Sequence, residues 1–168
     1  MRPLLTIPLT IVLFGCQEVP SFDPCQPTNP EIYRYEDRSS SERLSVTRER
    51  QRLLFDFHIP ETDYRSSKVY AQIVDAGDHI QITNLLIPKD LSDETISNAT
   101  TDCNVRSGGP TENLYRVDCK PSHEKASEVV LLDTEKGIVE WSTLDEDGSK
   151  ISDYILQSDS GLLHPCLN

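Results

Sequence analysis

Residues 129–156 read VVLLDTEKGIVEWSTLDEDGSKISDYIL. Val129–Leu132, Ile138–Trp141 and Ile151–Leu156 are apolar or half-apolar runs, parted by Glu135-Lys136-Gly137 and by Asp145-Glu146-Asp147-Gly148. Gly after an acidic or polar residue, between such runs, marks a tight hairpin, because the favoured turns need positive φ at their central positions. The stretch predicts three consecutive antiparallel strands, a β-meander.

The same pattern extends towards the N-terminus. Leu53, Phe55, Phe57 and Ile59 alternate with Asp56 and His58 up to Pro60, and Val69, Ala71 and Ile73 share one face of a further strand. Asp75-Ala76-Gly77-Asp78 reads as a hairpin turn into a strand carrying Ile80, Ile82 and Leu85-Leu86-Ile87, closed by Pro88. Leu114, Tyr115, Val117 and Cys119 form another candidate, and Leu44 and Val46 read as strand. The one helical candidate is a turn or two around Asp90 to Ala99, with Asp90 or Ser92 as cap. No internal repeat is found. The expectation is an all-β fold, an antiparallel β-meander forming a small sandwich or partly open barrel, stapled by two disulfides. Residues 43–168 are expected as a single β domain and residues 16–42 as a tether. In the latter, Pro20, Pro24, Pro27 and Pro30 favour an extended chain, and Tyr33 and Tyr35 alternate as in a short strand.

Composition agrees with a loop-rich β domain. The chain has 168 residues, 36% hydrophobic, with 7 Gly and 11 Pro. A formal net charge of −12 argues against nucleic acid as a partner and is compatible with a cationic one.

At the N-terminus, Arg2 precedes an apolar run, Leu4 to Phe14, that ends in Leu13-Phe14-Gly15-Cys16. These parts match a secretory signal. Eleven helical residues would cover about 16 Å, short of the roughly 30 Å hydrocarbon core of a bilayer. Leu13, Gly15 and Cys16 resemble the lipobox of bacterial lipoproteins; Phe14 is bulkier than usual for its position. The resemblance implies removal of residues 1–15 as a signal peptide and acylation of Cys16. It further implies attachment to the membrane through that lipid, in the outer membrane facing the periplasm of a diderm host, since Gln17 and not Asp follows the cysteine. An ordinary secretory signal followed by a disulfide cysteine is the competing reading.

The chain holds 5 Cys. Assigning Cys16 to the lipid leaves Cys25, Cys103, Cys119 and Cys166, enough for two disulfides in an oxidising compartment. Three pairings are open. Cys103–Cys119 with Cys25–Cys166 is favoured, because the first would close a hairpin rich in turn residues and the second would clip the ends of the domain together. A zinc site lacks the required spacing.

Motifs for chemistry are sparse. Asp145, Asp147 and Ser149 alternate like the start of an EF-hand loop but lack its downstream glutamate, so they read as an acidic turn. Ser122-His123-Glu124-Lys125 has the spacing of Ser-x-x-Lys without its companion motifs. His58, His79, His123 and His164 are widely separated. No motif points to a catalytic residue, a cofactor or a metal. Arg48, Arg50 and Arg52 alternate, and in one strand they would share a face as a candidate anion-binding stripe for an envelope lipid or glycan. Trp141, in mid-strand, reads as core. Two function classes stay open. One is a non-enzymatic envelope lipoprotein with a binding or structural role in the periplasm, its partner a protein, glycan or lipid. The other is a small envelope hydrolase whose residues assemble only in the fold. The lipobox makes a direct prediction: the mature protein labels with fatty acid and partitions with membranes, and Cys16→Ala yields an uncleaved or soluble form. Equal membrane association of that variant after signal removal would refute the lipid anchor.

Overall fold

The computed structural model describes residues 27, 29–59, 67–92, 94–108 and 113–164. Cys16, Cys25 and Cys166 fall outside this set, and with them the lipid attachment and the second disulfide. The described residues form twelve strands and no helix: β1 (Glu31–Asp37), β2 (Arg43–Glu49), β3 (Arg52–His58), β4 (Ser67–Asp75), β5 (His79–Ile82), β6 (Leu85–Pro88), β7 (Thr95–Ser97), β8 (Thr101–Ser107), β9 (Leu114–Pro121), β10 (Ser127–Asp133), β11 (Gly137–Leu144) and β12 (Lys150–Leu156).

Strands adjacent in sequence pair antiparallel, except β6 with β7, and β12 returns to pair with β1, giving the order β6-β5-β4-β3-β2-β1-β12-β11-β10-β9-β8-β7. The result is an up-and-down, nearly closed barrel with one seam, between β6 and β7, where no ladder is formed. At the seam β6 packs against β7, β8 and β9, and the Leu86 amide donates to the sulfur of Cys103 at 3.4 Å. Cys103 and Cys119 are bridged as expected, directly opposed on β8 and β9 with their Cα atoms 4.1 Å apart.

Period two explains the core. Tyr33 and Tyr35, Leu44 and Val46, Leu53 and Phe55, Val117 and Cys119, Val130 and Leu132 all point into the lumen and are buried. Two register shifts re-aim side chains of β11 and β12. Between Leu131 and Leu132 the pairing slips so that Val139 has no partner, which brings Trp141 onto the inward face opposite Val130. Between Thr143 and Leu144 a second shift leaves out Ile151, which stands exposed. A slip of one residue exchanges the faces of a strand, so these bulges decide what the lumen contains.

Three expectations are corrected. The sheet begins at Glu31 and not at residue 43, because Tyr33 and Tyr35 supply two buried positions on β1. The described residues of 90–99 include the edge strand β7 and no helix; Ile96 pairs with Cys103 on β8. The run from Ile80 to Pro88 is two strands, broken where Thr83 adopts a positive φ of 51°.

One end of the barrel is plugged. After β12 the chain turns back, burying Leu162 and Leu163 beneath the β10–β11 hairpin. The Ile138 amide donates to the Leu162 carbonyl at 2.8 Å, and the Gly161 amide to that of Lys136 at 2.6 Å. The approach is so close that a Cβ on Gly161 would lie 2.1 Å from the Ile138 carbonyl oxygen. Tyr35 completes the plug: its hydroxyl donates to the Ile138 carbonyl and accepts from the Leu162 amide, both at 3.1 Å. Tyr35→Phe strands two buried backbone groups and should cost about 1–3 kcal/mol, read from urea unfolding as a lower midpoint with unchanged slope. A variant as stable as the parent would show that the plug does not depend on this hydroxyl.

Candidate functional site

The other end of the barrel is open. Between β2, β3 and β4 on one side and β10, β11 and β12 on the other lies a cavity of about 520 Å³. Its aromatic lining comes from Phe55, Phe57, Trp141 and Tyr154. These residues meet in pairs across the lumen: Phe55 and Trp141 edge to face with centroids 5.5 Å apart, Phe57 and Tyr154 tilted at 6.1 Å. Leu44 and Val69 add aliphatic surface, Ser67, Thr83, Thr143 and Ser152 add hydroxyls, and Ile151 stands at the rim, pushed out by the second bulge. A concave, mostly apolar recess in a barrel mouth with a few convergent polar groups is a common form of ligand site. Larger depressions lie elsewhere: of about 660 and 740 Å³ near the β2–β3 hairpin, around Arg50, Gln51 and Arg52 and around Leu54 and Tyr70, and of about 570 Å³ around Lys120, Glu124 and Asp145. The carboxyl groups lining these, Glu49, Glu124, Asp145 and Glu146, include none with a buried oxygen that lacks a partner.

The mouth holds such a group, Glu128. It sits on β10 opposite Thr143 and Cys119, on the same inward row as Val130 and Leu132. Its Oε2 is buried without a hydrogen-bond partner. Burial first, and the charge of nearby Glu124 second, push its carboxyl up to about 7, against the opposing hydrogen bond from the Trp141 indole. Glu42 also lines the cavity and is hydrogen-bonded to the Tyr154 phenol, whose ionisation is pushed up by burial and by that carboxylate. Among the described residues lining the mouth there is no lysine or arginine.

The arginine stripe does not form as read. Arg48 is the last residue but one of β2, with its side chain turned inward and only 4% exposed, its Nε donating to the Arg50 carbonyl at 3.2 Å. Arg50 occupies the hairpin turn with φ 55°, and Arg52 opens β3 opposite Glu49. A hairpin thus breaks the single strand on which the shared face depended. Asp145 and Asp147 direct their carboxylates onto the Ser149 amide, both at 2.9 Å, as in an acidic turn. No histidine is among the described residues lining the mouth, and among the described residues no cluster of His, Cys, Asp and Glu is arranged to hold a metal ion. Reading the sequence picked out Trp141 only as core and passed over Glu128. In Val129-Val130-Leu131-Leu132 both parities are apolar, so nothing in the run says which face Glu128 joins.

No family model matches the chain, and neither a curated protein nor a solved structure matches it.

Because the folded carboxyl of Glu128 stands near 7 and an unfolded one near 4.5, the native state holds this proton more tightly. The resulting contribution to stability is fully present below about pH 4.5 and is lost as pH rises through about 7. Glu128→Gln should therefore match the parent at pH 4 and exceed it by on the order of 2 kcal/mol at pH 8, after allowance for residual exposure. Parallel stability curves for the two proteins would contradict the buried carboxylate.

Proposed function

We propose that this is a lipid-anchored envelope protein with a non-enzymatic role: it binds a small amphipathic molecule in the mouth of its barrel. The observation that carries the reading is the pairing of an aromatic-walled recess with one largely buried, unpartnered carboxyl oxygen. A carboxylate kept there costs stability at neutral pH, and such a cost is found most often where a side chain serves a ligand or a reaction. The lipobox-like Leu13-Phe14-Gly15-Cys16 supports the anchor and the compartment, and the Cys103–Cys119 bridge is in keeping with an oxidising one.

The hydrolase alternative draws on the same residue, since a carboxyl titrating near 7 suits proton transfer. It would also need an activated nucleophile and donors for a developing oxyanion. The hydroxyls of Ser67, Thr83, Thr143 and Ser152 line the cavity without a histidine among the described lining residues, so binding is the better supported use of the site.

The chain has 1 Trp, and Trp141 lines the cavity, so intrinsic tryptophan emission reports on this site. Titration with small apolar-bodied compounds, cationic, neutral and anionic, should give a saturable emission change for at least one class. Thr143→Phe, which fills the mouth, should abolish it while leaving the circular dichroism of the sheet unchanged. Strictly linear responses from all three classes would defeat the proposal.

A further inference from the structure

The lining of the mouth also bears on what it holds. Its two described charged residues, Glu42 and Glu128, are both acidic. The buried Glu128 Oε2 has no donor among the described residues, and an acceptor removed from water without a donor is costly until a ligand supplies one. Four aromatic rings line the same cavity, and the negative faces of such rings attract a cation within about 6 Å of their centroids. Glu124 adds negative charge close to Glu128, and the whole chain carries −12, so the field at the mouth draws cations and repels anions.

Resting on the binding function proposed above, we infer that the barrel mouth is a site for an organic ammonium ion, its apolar body among Phe55, Phe57, Trp141 and Tyr154 and its nitrogen hydrogen-bonded to Glu128. An N–H-bearing ammonium answers both features of the site at once: it donates to Oε2 and neutralises the carboxylate. A neutral alcohol of the same shape donates one hydrogen bond and leaves the charge unpaired. A carboxylate ligand meets Glu42 and Glu128 with like charge. At about 520 Å³ the cavity takes a single aromatic or short alkyl amine.

The test uses the full mature chain at pH 8 and three matched probes, phenethylammonium, 2-phenylethanol and phenylacetate, followed by Trp141 emission and by calorimetry. Phenethylammonium should bind at least ten times more tightly than 2-phenylethanol, and phenylacetate should not bind. Glu128→Gln should bring the ammonium to within about twofold of the alcohol; Glu42→Gln should weaken the ammonium only two- to threefold. Equal binding of ammonium and alcohol by the parent, or preference for phenylacetate, would overturn the ammonium assignment and leave the binding function standing. If none of the probes binds, the ammonium assignment falls, and a further absence of saturation across the wider compound series above removes the binding function as well. The comparison among probes on the parent protein holds whether or not either variant folds.

Discussion

The return of β12 to β1 is the constraint on which the rest of the molecule depends. Every other ladder joins strands that are adjacent in sequence, and a meander of that kind alone would be an open, twisted ribbon exposing one apolar face. Pairing Tyr35 with Leu156 and Asp37 with Tyr154 turns the ribbon into a lumen. The closure is reinforced beyond its ladder. Asp37 Oδ2 accepts the Asp153 amide at 2.7 Å, while its Oδ1 accepts the Ser39 amide and hydroxyl and the Ser40 amide. Burial would raise this carboxyl, but the hydrogen bonds from Ser39, Asp153 and Ser40 outweigh it and hold it at about 2. Asp37 is thus ionised across the neutral range, and the join is insensitive to pH where Glu128 is not.

Closure also divides the interior into unlike ends. At the plugged end Tyr35, Ile138, Gly161 and Leu162 satisfy one another, while His164 Nδ1 is buried without a partner among the described residues. At the open end Glu128 Oε2 also lacks a partner among the described residues, and there aromatic rings line the space. The two bulges of the β10–β12 meander produce this difference. Val139 shifts Trp141 inward, and Ile151 is displaced to the rim. Bulges are found preferentially at barrel rims and beside sites, where they redirect side chains.

The same bulges explain which parts of the molecule the sequence discloses. Leu53, Phe55 and Phe57, and Tyr115, Val117 and Cys119, keep period two even with Leu54 and Leu114 beside them, and their strands appear where the pattern puts them. The bridge between Cys103 and Cys119 follows from opposing two such strands. Where the pattern is degenerate the structure is not legible. An unbulged pairing out from Asp133 and Gly137 would set Trp141 opposite Val129 and on the other face from Glu128, so the cavity cannot be assembled from the hairpin's turn alone. The breaks at Arg50 and Thr83 are equally hidden, because neither residue is a usual carrier of positive φ. β7 lies among polar residues and owes its form to the neighbour it pairs with.

The seam between β6 and β7 bears on the girth of the barrel. In a fully hydrogen-bonded barrel the circumference is set by strand number and stagger, and no ligand alters it without breaking ladder bonds. Here one junction is held by packing of β6 over β7, β8 and β9 and by the Leu86 amide on the Cys103 sulfur. Widening the barrel there would cost dispersion contacts, each worth only about 0.1–0.2 kcal/mol, and no ladder hydrogen bond. The β7–β8 ladder and the Cys103–Cys119 bridge lie on one side of that seam, so β7, β8 and β9 are tied together and any change in girth falls between them and β6.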